Sequence, residues 1–204
     1  MAQAETITVA ALGDSLTAGY GLAQGEGFVP QLEAWLKEQG ADVAIVNAGV
    51  SGDTTAGGLS RVAWTLTPEV DAMIVTLGGN DYLRGLDPSV SRSNLDGILA
   101  AGQDAGVAML LVGLSVGGNY GQAYKQEFEG MYAALATAYD IPLYPDFASG
   151  LRQAAGSSEG MSAFLQGDGI HPNAAGVGAI VAAIGPEVLK LVAAARGQTS
   201  GQQP

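Results

Sequence analysis

Short apolar runs alternate with segments of helical periodicity along most of the chain. Within the helical segments, apolar residues recur every three or four positions, which puts them on one face of a helix. The predicted strands cover residues 6–12, 42–47, 70–77 and 107–114, and the predicted helices cover residues 26–39, 54–66 and 88–105. A fourth helix is indicated by an apolar stripe after the last of these strands: Tyr124, Phe128, Met131, Tyr132 and Leu135.

This alternation predicts a doubly wound α/β sandwich, in which helices cover both faces of a parallel sheet. The strands of such a sheet are buried on both sides and are typically continuous apolar runs, as they are here. Residues 142–144 are the candidate for a short fifth strand. The last helical region, residues 173–195, is expected to be interrupted at Gly185 and Pro186, because proline lacks a backbone N–H.

Length and composition indicate the number of domains. A chain of 204 residues with 48% hydrophobic and 14% charged residues is typical of one compact globular unit. We expect a single domain over residues 6–196, an N-terminal remnant or tag at residues 1–5, and a flexible polar tail at residues 197–204.

The charge balance narrows the class of partner. Eight basic and twenty acidic side chains give a formal net charge of -12, which repels phosphate backbones and anionic membrane surfaces. We therefore expect no nucleic-acid partner and no stable membrane insertion, and the sequence indicates no obligatory protein partner. We find no run that approaches the roughly 18 to 20 apolar residues that span a bilayer.

The residue inventory limits the chemistry further. The chain has no cysteine, which excludes disulfides, thiolate metal sites and cysteine nucleophiles. His171 is the only histidine. A His-rich metal centre is therefore not expected, and any reaction that needs an imidazole must use this residue.

Glycine-rich polar segments follow three of the predicted strands. Residues 13–16 follow the first strand, residues 47–53 the second and residues 78–81 the third. In open parallel sheets, ligands bind in the crevice beyond the carboxyl ends of the strands. We therefore expect functional residues in these three segments.

Ser15 lies in the first of these segments, and a pair that could activate it lies near the other end of the chain. A serine hydroxyl is a weak nucleophile at neutral pH, so it needs a neighbouring base and a carboxylate that orients the base. The spacing of Asp168 and His171 lets the carboxylate accept the imidazole Nδ1 hydrogen and leaves Nε2 free to face Ser15. Gly169 permits a tight bend between them, and Pro172 suits the first turn of the following helix.

Acyl transfer also needs hydrogen-bond donors aimed at the developing oxyanion. Gly52 can offer its backbone N–H with no side chain in the way, and the Asn80 amide can donate beside the backbone N–H of Ser15. Taken singly, each of these residues is more often a helix cap or a turn residue. Their joint placement after successive strands, with the Asp-His pair before the final helix, favours a hydrolase site.

Four motifs carry a resemblance to a known family and together span nearly the whole chain. They lie at residues 13–21, 47–54, 78–85 and 168–173; the first contains Gly13-Asp14-Ser15-Leu16, and the last contains Asp168-Gly169-Ile170-His171-Pro172. The first and last motifs are highly specific when they occur together in this order. The chain resembles the SGNH or GDSL hydrolases, and among them it is similar to the bacterial thioesterase I, lysophospholipase and arylesterase group.

The resemblance implies a fold, a site and a reaction. The fold is a three-layer sandwich around a five-stranded, flavodoxin-like parallel sheet, and the enzyme is a monomer-like hydrolase without metal or cofactor. The family pattern implies Ser15 as nucleophile, His171 and Asp168 as base and orienter, and Gly52 and Asn80 as oxyanion donors with the Ser15 N–H. The implied substrates are small esters or thioesters: aryl or short-to-medium acyl esters, acyl thioesters or lysophospholipids.

The segment after Asn80 is the candidate for an apolar wall of the acyl site. Tyr82, Leu83 and Leu86 would supply the apolar side chains. Arg84 is a candidate contact for a polar head group, and local pairing or solvation of its guanidinium is the alternative.

Two other interpretations stay open at the level of the sequence. Residues 113–117 place Ser115 in the Gly-x-Ser-x-Gly pattern of α/β-hydrolases, with Asp146 or Asp168 and then His171 as partners. Against Ser115, residues 117–121 extend the loop where such an elbow turns directly into a helix. The other interpretation is a non-catalytic flavodoxin-like module that holds a phosphate, although no phosphate-binding consensus occurs at a strand-to-helix turn.

The first residues bear on cellular location. Ala2, Gln3 and Ala4 are typical of the small-residue end of a removed export signal, here behind a start methionine. The resembled family is also frequently exported to the periplasm. We therefore expect a periplasmic or secreted mature protein, with a cytoplasmic location as the alternative.

Overall fold

The computed structural model describes the backbone of residues 6–201 and the side chains as far as residue 198. Residues 1–5, where we expect a remnant or tag, and residues 202–204 of the expected tail lie outside the described residues. The elements follow in the order β1 (Ile7–Gly13), α1 (Ser15–Ala18), α2 (Phe28–Glu38), β2 (Val43–Gly49), α3 (Thr55–Thr65), β3 (Ala72–Thr76), α4 (Gly79–Leu83), α5 (Pro88–Asp104), β4 (Ala108–Val112), α6 (Gln122–Tyr139), β5 (Leu143–Tyr144), α7 (Ser149–Ala155), a 3-10 helix (Glu159–Phe164) and α8 (Ala174–Gly201).

The five strands form one parallel sheet in the order β2-β1-β3-β4-β5. The predicted three-layer α/β fold is thereby confirmed, and the fifth strand is the short β5. Gly13 pairs with Gly49 on one side and with Thr76 on the other, so the adjacent strands β2, β1 and β3 end at the same level. The strand order reverses at β1, and a crevice for ligands forms beyond strand ends at such a point.

Alternating residues of the strands face two separate apolar layers. Along β1, Val9 and Ala11 belong to a core shared with α2 and α8, while Ala10 and Leu12 belong to a core shared with α5 and α6. Side chains of a strand point alternately to opposite faces. A strand buried on both faces must therefore be apolar throughout, which is why its amino-acid sequence is a continuous apolar run.

Helix α8 corrects the predicted interruption at Gly185 and Pro186. The helix continues without a break, with Pro186 inside it. A proline in a helix interior costs about 3 kcal/mol. Ile184 and Val188 flank it and are completely buried, and each such side chain contributes roughly 1.5–3 kcal/mol. Packing therefore outweighs the helix breaker. The helix also includes residues 197–201, which composition assigned to the tail.

By length and composition, α8 would also be able to cross a membrane, a feature that the search for apolar runs missed. Its apolar side chains are buried against the sheet and against α2 and α7. The residues of this buried face are Val177, Ile180, Val181, Ile184, Val188, Leu191 and Val192. This packing is typical of the core helix of an α/β domain.

Candidate active site

Ser15 is the first residue of α1, directly beyond the carboxyl end of β1. The turn between them is tight: a Cβ on Gly13 would stand 2.0 Å from Thr17 Oγ1. Asp14 caps α1, and its carboxylate accepts a hydrogen bond from the Leu16 N–H at 3.0 Å. Glycine and the cap together hold Ser15 at the floor of the crevice.

The structure brings Ser15, His171 and Asp168 together in one line. His171 Nε2 lies 2.9 Å from Ser15 Oγ, and His171 Nδ1 lies 2.6 Å from Asp168 Oδ2. These residues come from segments 156 positions apart in the sequence. The arrangement is the one in which an imidazole can take a proton from a serine hydroxyl while a carboxylate holds its other nitrogen.

Asp168 is held in its ionised form. Its Oδ1 accepts the backbone N–H of Ile170 at 2.9 Å and that of His171 at 3.0 Å. The Ile170 hydrogen bond, together with the imidazole and the His171 N–H, lowers the pKa of this carboxyl to about 2. Asp168 is therefore a carboxylate throughout the neutral range, where it can orient the imidazole.

Three donors converge beside Ser15. Within residues 6–198, the backbone N–H groups of Ser15 and Gly52 have no hydrogen-bond partner. The Asn80 amide donates to the Asp53 carbonyl at 2.9 Å, which leaves its second N–H available. Gly52 has a φ of 86°, and its carbonyl accepts from Arg84 Nη2 at 2.8 Å. Arg84 thus holds the Gly52 carbonyl, while the Gly52 N–H remains available as a donor.

A cavity of about 310 Å³ opens above these groups. Its lining consists of Asp14, Ser15, Leu16, Tyr20, Ser51, Gly52, Gly79, Asn80, Leu83, Ile170 and His171. The Tyr20 ring lies with its centroid 4.7 Å from that of the imidazole. Tyr20, Leu83 and Ile170 are each more than half exposed, so the rim of the cavity is apolar.

Other, larger surface grooves lie elsewhere on the molecule. One of about 520 Å³ lies between α5 and α6, and one of about 620 Å³ follows α2 and the edge of β2. Neither is lined by Ser15 or His171. We place the site in the smaller cavity because the reactive groups converge there.

Comparison with known proteins agrees with this geometry. The model of the GDSL-like Lipase/Acylhydrolase family matches residues 11–179. The chain belongs to this family. Esterase TesA from Pseudomonas aeruginosa is 39% identical over 171 residues, which cover 83% of this chain and 82% of that protein. Thioesterase 1/protease 1/lysophospholipase L1 from Escherichia coli K12 is 34% identical over 174 residues, covering 84% of this chain and 77% of that protein.

Solved structures show the same relationship for this GDSL hydrolase. AlinE4, an SGNH-hydrolase family esterase, superposes with a TM-score of 0.75 at 42% identity, covering 93% of this chain and 98% of that one. The crystal structure of TesA gives a TM-score of 0.80 at 34% identity, covering 90% and 99%. Family membership confirms the predicted enzyme class, a serine hydrolase of carboxylic esters, and disfavours the binding-module interpretation.

Of the three residues predicted for the acyl wall of the GDSL hydrolase, Leu83 lines the cavity, whereas Tyr82, Leu86 and the predicted head-group contact Arg84 are not among the lining residues. Tyr82 packs instead on Tyr120, with ring centroids 5.6 Å apart. Arg84 binds the Gly52 carbonyl, and the Leu86 carbonyl accepts from the Tyr124 hydroxyl at 2.8 Å. Successive residues of a helix point about 100° apart, so Tyr82 and Leu83 of α4 point in different directions, while Arg84 and Leu86 lie beyond the end of the helix. Adjacency in the sequence alone did not reveal which of these side chains reaches the cavity.

Ser115 lies away from the imidazole of the GDSL hydrolase. Its hydroxyl donates to the Glu129 carboxylate at 3.1 Å, and Glu129 also pairs with Lys125. The only histidine is already engaged with Ser15. The α/β-hydrolase interpretation therefore lacks a base for its nucleophile.

The sequence interpretation gave Asp81 no role. Asp81 is completely buried in the GDSL hydrolase. Its carboxylate accepts from the Thr55 N–H at 2.8 Å, the Thr55 hydroxyl at 2.6 Å and the Ser91 hydroxyl at 2.9 Å. These bonds tie α4, which carries Asn80, to α3 and α5. The only sequence signal for this role of Asp81 is that it directly follows Asn80, the predicted oxyanion donor.

Asn80 offers a direct test of the oxyanion donors. Asn80→Ala is expected to lower kcat by about 100- to 1000-fold with a small change in KM, because its donor acts on charge that develops in the transition state. The measurement is steady-state hydrolysis of a small aryl ester. Asn94→Ala is the control for loosening of α4, since the Asn94 amide donates at 3.0 Å to the Thr55 hydroxyl of the Asp81 network but does not line the cavity; an equal loss of kcat in both variants would mean that α4 has loosened. A raised KM with unchanged kcat in Asn80→Ala would contradict this role.

Asp14 makes the stability of the GDSL hydrolase depend on pH. Asp14 is only 2% exposed, and desolvation by burial raises its pKa from 3.8 to about 6. The protonated carboxyl therefore contributes stability below pH 4, and this contribution is lost as the pH rises to about 6. The buried charge then costs about 3 kcal/mol. Asp14→Asn is expected to gain stability relative to wild type between pH 4 and pH 7.

Urea unfolding at several pH values measures this difference. Asp87→Asn is the matched control, because Asp87 caps α5 in the same way and its exposed carboxyl has a lowered pKa through its bonds to Ser89. Its stabilising contribution is lost only as the pH falls below 4. A flat difference for Asp14→Asn between pH 4 and pH 7 would show that the buried carboxyl is not destabilised.

Proposed function

We propose that this enzyme hydrolyses small carboxylic esters and thioesters with Ser15 as nucleophile, His171 as general base and acid, and Asp168 as orienter. The observation that carries the proposal is the unbroken line from Ser15 Oγ to His171 Nε2, at 2.9 Å, and from His171 Nδ1 to Asp168, at 2.6 Å. Family membership supports the same reaction class.

In the first half-reaction, Ser15 Oγ attacks the acyl carbon while His171 Nε2 takes the hydroxyl proton. The oxyanion receives hydrogen bonds from the N–H groups of Ser15 and Gly52 and from the Asn80 amide. His171 then gives its proton to the leaving alcohol or thiol. Water attacks the acyl-enzyme by the reverse route, with His171 as base, and a carboxylic acid leaves. No step requires a metal or cofactor.

The cavity favours small acyl or aryl groups. Its volume of about 310 Å³ is at the lower end of the usual range for ligand sites, roughly 300–1,000 Å³. The apolar rim formed by Tyr20, Leu83 and Ile170 suits an acyl chain or an aromatic ring. Relatives are named arylesterase and thioesterase 1/lysophospholipase L1, and we extend aryl esters, short-to-medium acyl esters, thioesters and lysophospholipids to this enzyme as candidate substrates.

We also propose that the enzyme works in the periplasm or outside the cell. The absence of cysteine lets the chain fold unaltered in an oxidising compartment.

A fluorophosphonate probe tests the proposed nucleophile directly. The purified enzyme is treated with the probe, digested and mapped by mass spectrometry, and hydrolysis of a set of p-nitrophenyl esters of increasing chain length is followed in parallel. We expect a single label on Ser15, loss of activity in proportion to labelling, and the highest kcat/KM with short acyl groups. A label on Ser115, or no label at all, would overturn the assignment.

A further inference from the structure

Gln166 closes the loop that carries both Asp168 and His171. The Gln166 N–H donates to the His171 carbonyl at 2.8 Å, and the Gln166 carbonyl accepts from the Gly169 N–H at 3.0 Å. Leu165 and Pro172 form an antiparallel bridge just outside this ring. The main chain of Gln166 therefore closes a six-residue loop, residues 166–171. His171 is the last residue of this loop.

The side chain of the same residue reaches across to the nucleophile side of the cavity. Gln166 Nε2 donates to the Pro172 carbonyl at 3.0 Å and to the Tyr20 carbonyl at 2.8 Å, so both of its hydrogens have partners. A Cβ on Gly21 would stand 2.1 Å from Gln166 Oε1, and Gly21 has a φ of +74°. Glycine is thus needed at position 21 both for the turn and for the approach of the amide.

Tyr20 in turn is bonded to the nucleophile residue. Its N–H donates to the Ser15 carbonyl at 3.1 Å, and its ring lies against the imidazole of His171. A closed circuit of hydrogen bonds results. One branch is the direct bond between Ser15 and His171, and the other runs from Ser15 through Tyr20 and Gln166 back to His171.

We infer that Gln166 is a positioning residue that sets the distance between His171 Nε2 and Ser15 Oγ. Gln166 is not among the residues that line the cavity, so it acts through the Tyr20 carbonyl and the loop of residues 166–171. The inference rests on the proposed function, in which these two atoms exchange the proton. Because the two catalytic segments are otherwise far apart in the sequence, a side-chain bridge between them controls their separation.

The kinetic cost of losing such a bridge is large. A misplacement of about 1 Å in a reacting pair lowers turnover by roughly 100-fold. Gln166→Met keeps the length and volume of the side chain but removes both donors, and Gln166→Glu keeps the shape and turns a donor into an acceptor. We expect each variant to lower kcat by about 10- to 100-fold while KM stays nearly constant.

Gln31 provides the matched control. Its Nε2 likewise bridges two backbone carbonyls, those of Glu26 at 2.6 Å and Ala174 at 3.1 Å, but it joins α2 to α8 without contacting Ser15, Tyr20 or the loop of residues 166–171. We expect Gln31→Met to lower the melting temperature about as much as Gln166→Met does and to retain kcat. An equal loss of kcat in the two variants would mean general loosening and would overturn the inference.

A second readout does not depend on turnover. Since His171 is the only histidine, untagged protein labelled with ¹⁵N-histidine gives the imidazole signals of this one residue. We expect the Nδ1–H signal and the Nε2 shift to move or broaden in Gln166→Met and Gln166→Glu and to stay in place in Gln31→Met. Unchanged signals together with unchanged kcat would overturn the positioning role.

The failure of the proposed function would look different. In that case wild type itself would take no fluorophosphonate label on Ser15 and would hydrolyse no ester, whereas the histidine signals would still report whether Gln166 orients the ring. A wild type that is labelled and active, with Gln166 variants that match it in rate and in spectrum, would refute the role of Gln166 alone.

Discussion

Replacing Ser15 with alanine is expected to lower kcat by about 10⁴- to 10⁶-fold with little change in KM for a small ester or in melting temperature. Alanine removes the hydroxyl that forms the acyl-enzyme but keeps the backbone N–H and the cap by Asp14. Any residual rate would come from binding and from the oxyanion donors. The measurement is steady-state hydrolysis, with active-site titration to exclude traces of wild type.

Ser115→Ala is the matched control for this experiment. Its hydroxyl donates to Glu129 of α6 and does not line the cavity, so we expect rates close to wild type. If Ser15→Ala retained more than about a tenth of the wild-type kcat, Ser15 would not be the nucleophile, since loss of a covalent step is far more costly than that.

Asp168→Asn is expected to lower kcat by about 10⁴-fold. An amide at this position can still accept the N–H groups of Ile170 and His171 through its oxygen, so the loop is retained. Its NH₂ group, however, faces His171 Nδ1 and favours the tautomer with the proton on Nε2. That tautomer cannot take the proton of Ser15, so the general base is lost while its geometry is kept.

The pH dependence distinguishes this cause from a general loss of structure. The pKa of Asp168 is about 2, so we expect no step in the wild-type rate from this carboxyl above pH 4. Asp96→Asn serves as the control, because Asp96 accepts the Tyr139 hydroxyl at 3.0 Å at a site remote from the cavity. A loss below about 10-fold in Asp168→Asn would show that the imidazole does not depend on the carboxylate.

The sequence predicted those features of the fold and the site that follow from regular hydrophobic patterns and short spacings. Continuous apolar runs located the strands because both faces of the sheet are covered, and the level strand ends then brought Ser15, Gly52 and Asn80 to one crevice. The Asp168-to-His171 spacing predicted a short contact because the loop between them has only two residues. These features follow from the periods of strands and helices and from the geometry of short loops.

What the sequence missed depends on three-dimensional packing. Pro186 would end a helix in isolation, and only the burial of its neighbours keeps α8 continuous. Leu83 and Tyr82 are adjacent in the chain, yet the turn of α4 sends one to the cavity and the other to an aromatic cluster. A single glutamine such as Gln166 follows no periodic pattern, so its contact with Tyr20, 146 positions away, becomes visible only in the folded molecule.

The 156 positions that separate Ser15 from His171 in the sequence have a consequence for the growing chain. Synthesis delivers Ser15 early, while the segment with His171 is made after all five strands. Contacts between segments so distant in sequence form late in folding. With the roles proposed for Ser15 and His171, a partly synthesised chain carries the serine without its base, and we expect hydrolytic activity only after the segment with His171 has joined the fold.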